Sequence, residues 1–240
     1  GQGFVGKLAF PSANVSDRIE KTFTSVNFNM MIMVIYALIT IAIFGMWYYA
    51  RYEGNFLPSP KKTFNPMMLV AIVILVPGTQ FAANFIANLT GYIRPDWLQQ
   101  YNDLFETSGI TDTTFVTVLY SVILAPICEE LIFRGVTMRC ARKALPFALA
   151  NLMQAALFGL FHLNWIQGIY AFALGIVLGY VCECGGSIYY SMGLHLLFNL
   201  WGTLSGFFPD PGNSVVVFVV VIVVTIVSLV AGFVLFNKGR

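Results

Sequence analysis

The sequence contains very little charge. Only 10% of its 240 residues are Asp, Glu, Lys or Arg, and 58% are hydrophobic, whereas about a quarter of a typical soluble domain is charged. Its 13 basic and 11 acidic residues give a net charge of +2, which gives no reason to expect binding to nucleic acid. This composition is not that of an ordinary soluble domain, and we expect no nucleic-acid partner.

Cysteine and histidine are also scarce. The four cysteines are Cys128, Cys140, Cys182 and Cys184, and all lie within apolar sequence. They are too few and too deep for a disulfide framework, so we expect reduced, packed thiols. One residue separates Cys182 from Cys184, which is not the usual spacing of zinc ligands. The only two histidines, His162 and His195, both lie inside apolar segments.

The apolar residues are gathered into long runs. A helix of about 20 residues crosses a hydrocarbon core of about 30 Å, and a helix also satisfies its own backbone in lipid. Seven runs have this character: 28–50, 66–91, 113–135, 145–163, 165–183, 187–207 and 214–236. They predict an all-α fold, a polytopic transmembrane bundle of about seven (six to eight) helices around a polar cavity, in contact with membrane lipids.

Basic residues predict how the helices are oriented. If every run crosses the membrane, one side collects Arg51, Lys61, Lys62, Arg139, Arg142, Lys143, Lys238 and Arg240, and the other Lys7, Arg18, Lys21 and Arg94. The positive-inside rule then places the larger group and the C-terminus in the cytoplasm. Ala171, Gly175 and Gly179, spaced four apart, predict a structural contact where two helices approach closely.

One apolar run contains a pair of adjacent glutamates. An ionisable residue inside a membrane costs about 2.5–3.5 kcal/mol and usually marks function. Glu130 and Arg134 are four apart with the acid first, the favourable order for an ion pair on a helix. Glu129 is turned by about 100°, so it is left free to face a cavity, where a carboxylate can act as a general base.

Two further polar groups follow on separate helices. His195 and Asn199 are four apart and share one face, whereas His162, four after Phe158, needs the tertiary fold to join them. Each group has a plain structural explanation, as a helix ion pair, a hydrogen-bonded core histidine or a polar contact between helices. Three such groups in a chain so poor in charge favour a functional cluster.

These residues resemble the motifs of the CPBP family, the CAAX proteases and bacteriocin-processing enzymes, also called the Abi family. Its hallmarks are a double glutamate with an arginine four beyond the second, Phe-x-x-x-His and His-x-x-x-Asn, which occur here in that order within about 115–205. The family includes the Ras-converting CAAX endopeptidase. The resemblance implies an intramembrane endopeptidase acting on a membrane-associated or prenylated protein or peptide, and the modest length fits a prokaryotic cell-membrane protein.

The resemblance also implies roles for individual residues. Glu129 and His162 would activate a water molecule, and His195 and Asn199 would stabilise the oxyanion. A supporting set would hold the site together: Glu130, Arg134 and Phe158. On this basis we divide the chain into an N-terminal polar or interfacial segment (1–26), accessory membrane helices with an acidic loop (27–112), a catalytic core (113–207) and a C-terminal membrane helix (208–240).

Several alternatives remain open at the level of sequence. Glu129, His162 and His195 are acceptable zinc ligands, but the His-Glu-x-x-His motif is absent, and we favour metal-free catalysis over zinc. A non-catalytic scaffold or immunity protein of the same fold is the main rival, although no motif residue is missing. A proton- or ion-coupled transporter is less favoured, since no inverted repeat is visible. A serine protease built on Ser191 lacks the surrounding Gly-x-Ser-x-Gly.

Overall fold

The computed structural model describes residues 14–17, 26–50, 65–108, 114–205 and 214–240. Within these ranges the chain is helical and has no β-strand, which confirms the all-α prediction. The helices are α1 (Val26–Tyr48), α2 (Pro66–Ile93), α3 (Pro95–Ser108), α4 (Phe115–Ala141), α5 (Phe147–Phe161), α6 (Trp165–Gly185), α7 (Ile188–Ser205) and α8 (Val215–Lys238). Several basic residues of the orientation prediction lie outside the described residues: Lys7, Arg18, Lys21, Arg51, Lys61 and Lys62.

Each of the seven predicted apolar runs forms a helix. Among the described helices, five are long and apolar enough to cross a membrane, namely α1, α2, α4, α6 and α8, and α5 is a shorter apolar helix. The molecule is therefore a polytopic helical bundle and an integral membrane protein. The predicted acidic loop is largely the 14-residue helix α3, which begins at Pro95 with Asp96 in its first turn, a favourable start for a helix.

The helix α4, which contains the two glutamates, changes its winding twice. It is π-helical at Leu119–Leu124 and again at Leu131–Met138, and the short α-helical segment Ala125–Glu130 lies between them. Such π segments are rare and occur frequently at functional sites, because they re-aim the side chains that follow. Glu129 and Glu130 are thus held on one α-helical turn between two altered turns.

The stripe of small residues brings α5 and α6 together, as predicted. Ala171 is buried, and a Cβ atom added at Gly175 would lie 3.1 Å from the Ala155 side chain. At Gly179 an added Cβ would overlap the side-chain oxygen of Asn151. The two helices can therefore pack at this distance only because these positions of α6 have small side chains or none.

A hydroxyl from α8 enters the backbone hydrogen-bond ladder of α2. The Ser228 hydroxyl accepts a hydrogen bond from the Gly78 N–H (2.8 Å) and donates one to the carbonyl oxygen of Ile74. In an uninterrupted α-helix the Gly78 N–H would bond to Ile74 directly. The insertion lies next to Pro77 inside α2, where the ladder is already interrupted, and it links the C-terminal helix to the bundle.

We expect Ser228→Ala to lower the free energy of unfolding by about 1–3 kcal/mol, because it removes the partner of a buried backbone donor. The measurement is thermal or denaturant unfolding of the purified protein in detergent. Thr225→Val is the matched control, since within the described part of the chain the Thr225 hydroxyl bonds to its own helix, at the carbonyl of Val221. Equal losses in both variants would show that the contact between helices contributes nothing.

Polar contacts mark the two ends of the bundle. At the C-terminal end of α6, Arg142 forms an ion pair with Glu183 (3.0 Å), and Arg240 approaches Cys184 (4.0 Å). At the other end of α6, Trp165 stacks on Trp97, beside which Arg94 bonds to Asp96 (2.6 Å). That hydrogen bond holds the pKa of the exposed Asp96 carboxyl below its ordinary value.

The described members of the larger basic group thus lie at the end opposite Arg94, and which end faces the cytoplasm stays a prediction.

Candidate active site

The centre of the bundle holds the ion pair predicted from the spacing of the double-glutamate motif. Arg134 Nη1 lies 2.9 Å from Glu130 Oε1, and both side chains are completely buried. The guanidinium also donates to the carbonyl oxygen of Gly175 on α6 (3.2 Å) and sits 4.5 Å from the centre of the Phe158 ring. A carboxylate, a carbonyl dipole and an aromatic face together compensate a charge that has no access to water.

His195 connects both glutamates. Its Nδ1 lies 2.9 Å from Glu130 Oε1, and its Nε2 lies 3.6 Å from Glu129 Oε2. The two glutamate side chains point in different directions from α4, as their adjacency requires, yet the two nitrogens of one imidazole reach both of them. Glu129, which the sequence leaves without a partner on its own helix, thus has a partner on α7.

The geometry assigns donors and acceptors within this cluster. Glu130, paired with Arg134, is an acceptor, so the Nδ1 atom of His195 carries a hydrogen and donates it. The Nε2 atom then faces Glu129 at an ion-pair distance that is longer than a hydrogen bond.

His162 occupies the end of α5, beside the same aromatic ring. Its Nδ1 lies 2.9 Å from the carbonyl oxygen of Phe158, and a carbonyl can only accept, so Nδ1 carries the hydrogen. In the neutral ring, Nε2 is left as a lone-pair acceptor. The centre of the Phe158 ring is 5.0 Å from that of His162 and 5.7 Å from that of His195. Phe158 thus packs against both histidines and the arginine.

The chain turns sharply just after His162. Leu163 has a φ of 53°, in the left-handed region, which costs a non-glycine residue about 1–2 kcal/mol. The next residue, Asn164, caps α6 by accepting a hydrogen bond from the Gln167 N–H (3.1 Å). The strained Leu163 lies between the end of α5 and the cap of α6, and it fixes the direction of the chain immediately after His162.

Asn199 lies one helical turn beyond His195 on α7. Its Nδ2 donates to the carbonyl oxygen of Ser121 on α4 (2.8 Å), two turns before Glu129. The amide nitrogen has a second hydrogen available for another acceptor. Ser191 is fully buried, and its hydroxyl donates to the carbonyl of Ile188 on its own helix (3.0 Å), so this geometry does not favour the serine alternative.

The predicted zinc ligands can be compared with what the structure brings together. Throughout the described segments there is no group of three or more His, Cys, Asp or Glu side chains arranged to hold a metal ion. Glu129, His162 and His195 therefore do not form such a group. The four cysteines are free, as expected.

Two further polar residues near the site were not predicted from the sequence. Asn151 and Gln154 lie on α5 and are buried, and Gln154 donates to the Gly175 carbonyl (2.8 Å) that also accepts from Arg134. The available signal was a pair of amides in an otherwise apolar helix, with Gln154 one turn before Phe158 on the same face.

These features define a class of protein: a polytopic membrane protein with a buried, charge-balanced cluster of glutamate, arginine and histidine. Residues 111–201 match a family model described as "Type II CAAX prenyl endopeptidase Rce1-like". The matched segment contains all the motif residues, which confirms the family resemblance inferred from them, and it supports a membrane protease. No curated protein and no solved structure gave a match.

Proposed function

We propose that this protein is an intramembrane endopeptidase that hydrolyses a peptide bond with a water molecule activated by Glu129 and His162. The observation that carries the proposal is the placement of Glu129 Oε2 against His195 Nε2 (3.6 Å) at the edge of a buried ion-pair cluster. Glu129 is the more accessible of the two glutamates, with 15% of its side chain exposed against none for Glu130. A general base needs such access to water and substrate.

The first step is attack on the peptide carbonyl. The carboxylate of Glu129 takes one proton from water while the water oxygen forms a bond to the carbonyl carbon. The lone pair of His162 Nε2 accepts the other water hydrogen and orients the nucleophile. In this proposal His195 carries a hydrogen on both ring nitrogens. The negative charge that develops on the carbonyl oxygen is stabilised by His195 Nε2–H and by the second N–H of Asn199, a contribution of several kcal/mol in low-dielectric surroundings.

The second step is collapse of the tetrahedral intermediate. The carbonyl re-forms, the carbon–nitrogen bond breaks, and the proton held by Glu129 passes to the leaving nitrogen, which departs as an amine. Glu129 returns to the carboxylate form. Glu130 keeps His195 oriented throughout by accepting from Nδ1, as the carboxylate of a catalytic triad does for its histidine.

The family description supports a prenylated C-terminal peptide as the substrate class. A prenyl chain is apolar and partitions into the bilayer, so a site formed by membrane helices can receive the attached peptide from the lipid side. A membrane peptide without a prenyl group is the second substrate class in the proposal. The proposal also places the protein in a prokaryotic cell membrane with its C-terminus in the cytoplasm.

The testing experiment is a cleavage assay of the purified protein in detergent. The substrates are a farnesylated C-terminal peptide, the same peptide without the lipid, and a transmembrane peptide. We expect cleavage of the farnesylated peptide and activity that persists in a metal chelator, because Glu129 and His162 activate the water in the proposed reaction. Loss of activity with chelator and its recovery with added zinc would replace the metal-free mechanism. A folded protein that cleaves none of the three substrates would favour the scaffold alternative.

A further inference from the structure

A pair of amides on α5 continues the polar cluster beyond the motif residues. Gln154 is fully buried, and its Nε2 donates to the side-chain oxygen of Asn151 (2.7 Å) and to the carbonyl oxygen of Gly175 (2.8 Å). Asn151 Nδ2 in turn donates to the carbonyl oxygen of Ile176 (3.0 Å). Both partners of the Gln154 nitrogen are acceptors, so the orientation of the amide is determined.

The Gly175 carbonyl joins this pair to the candidate active site. It accepts from Gln154 on α5 and also from Arg134 Nη2 on α4 (3.2 Å). Hydrogen bonds and ion pairs therefore run without a break from Asn151 through Gln154, the Gly175 carbonyl, Arg134 and Glu130 to His195.

The fold provides room for the amides at one position of α6. A Cβ atom added at Gly179 would lie 2.7 Å from Gln154 Nε2, and one added at Gly175 would lie 3.2 Å from the ring of Phe158. The small-residue stripe therefore does more than allow two helices to pack. It lets α5 place an amide and an aromatic ring against the same stretch of α6.

We propose that Gln154, held by Asn151, is a positioning residue of the catalytic cluster. Arg134 is a long side chain that reaches the Gly175 carbonyl and the Phe158 ring on two other helices. Gln154 and Phe158 are one turn apart on α5, so the amide ties that carbonyl to the helix that also carries the ring. This contact fixes the position of Arg134. Through Arg134 it also fixes the positions of Glu130 and His195. This inference rests on the function proposed above.

The test compares Gln154→Met, which keeps the length of the side chain and removes the amide, with the exposed control Met153→Leu. We expect the kcat of Gln154→Met to fall about tenfold, the order seen when a hydrogen-bond partner behind a site is lost, with KM unchanged within about twofold. Asn151→Ala, which keeps the Gln154 amide but removes its contact with Asn151 and the Asn151 bond to the Ile176 carbonyl, is expected to show a smaller fall in the same direction. The control is expected to match the wild type.

A second measurement does not depend on proteolysis. The chain has two histidines, so histidine labelled with ¹⁵N gives two sets of ring signals, which His162→Gln assigns. We expect Gln154→Met to shift the His195 signals and leave those of His162 in place. If the wild type cleaves no substrate, the proposed function fails, and the His195 signals still decide the positioning role.

Two results would overturn the proposal. In the first, folded Gln154→Met has wild-type kcat and wild-type His195 signals. In the second, both histidines shift together as the protein loses thermal stability, which would make the role of Gln154 purely structural. If Gln154→Met does not fold, Asn151→Ala is subject to the same two criteria.

Discussion

Cleavage by Glu129→Gln is expected to be about 10²–10⁴-fold slower than by the wild type, the range associated with loss of a general acid–base group. Glutamine keeps the size of the side chain and an oxygen facing His195, but it cannot take a proton from water or return one to the leaving amine. The loss should therefore appear in kcat and leave KM largely unchanged. The measurement is steady-state cleavage of the farnesylated peptide.

The matched control is Glu183→Gln, which makes the same chemical change at the far end of α6. Glu183 is partly exposed and paired with Arg142, and exposed pairs of this kind contribute about 0–1 kcal/mol to stability. We expect it to retain wild-type cleavage. If Glu129→Gln kept its activity while folded, Glu129 would not be the base, and the mechanism proposed here would be wrong.

The fold was predictable because membrane helices are encoded locally. A run such as 165–183 must be a helix once it is long, apolar and in lipid, and the structure places α6 at Trp165–Gly185. The winding within a helix could not be predicted in this way. The π-helical segments of α4 at Leu119–Leu124 and Leu131–Met138 have no signature in the apolar pattern, because the same residue types satisfy either geometry.

The candidate site was only partly predictable, for a similar reason. The Glu130–Arg134 pair lies within one helix, so its spacing of four residues was sufficient. The contact between His195 and Glu130 joins residues 65 positions apart and depends on how α4 and α7 pack. The role of the Gly175 carbonyl could not be predicted at all, because a backbone oxygen available to a neighbouring helix depends on approach distance and not on residue type.

Arg134→Met is expected to lower the free energy of unfolding by about 3–5 kcal/mol, which is the usual cost of removing one partner from a buried ion pair. The carboxylate of Glu130 would remain completely buried and lose its cation. Thermal unfolding in detergent measures the change. The cost comes from the charge left behind, so the double variant Glu130→Gln with Arg134→Met is expected to recover most of the lost stability, as neutral replacements of buried pairs often do.

Activity is expected to separate from folding in that double variant. In the wild type His195 Nδ1 lies 2.9 Å from Glu130 Oε1. The amide of Glu130→Gln is neutral, and its oxygen could still accept a hydrogen bond from that nitrogen. However, the His195 ring that stabilises the oxyanion would lack the negative charge of Glu130 beside it. We therefore expect cleavage to stay at least about 10²-fold below the wild type, by analogy with triads whose carboxylate is made neutral. Full recovery of both stability and cleavage would show that the ion pair only fills space, and that Glu129 and His195 act without the charge behind them.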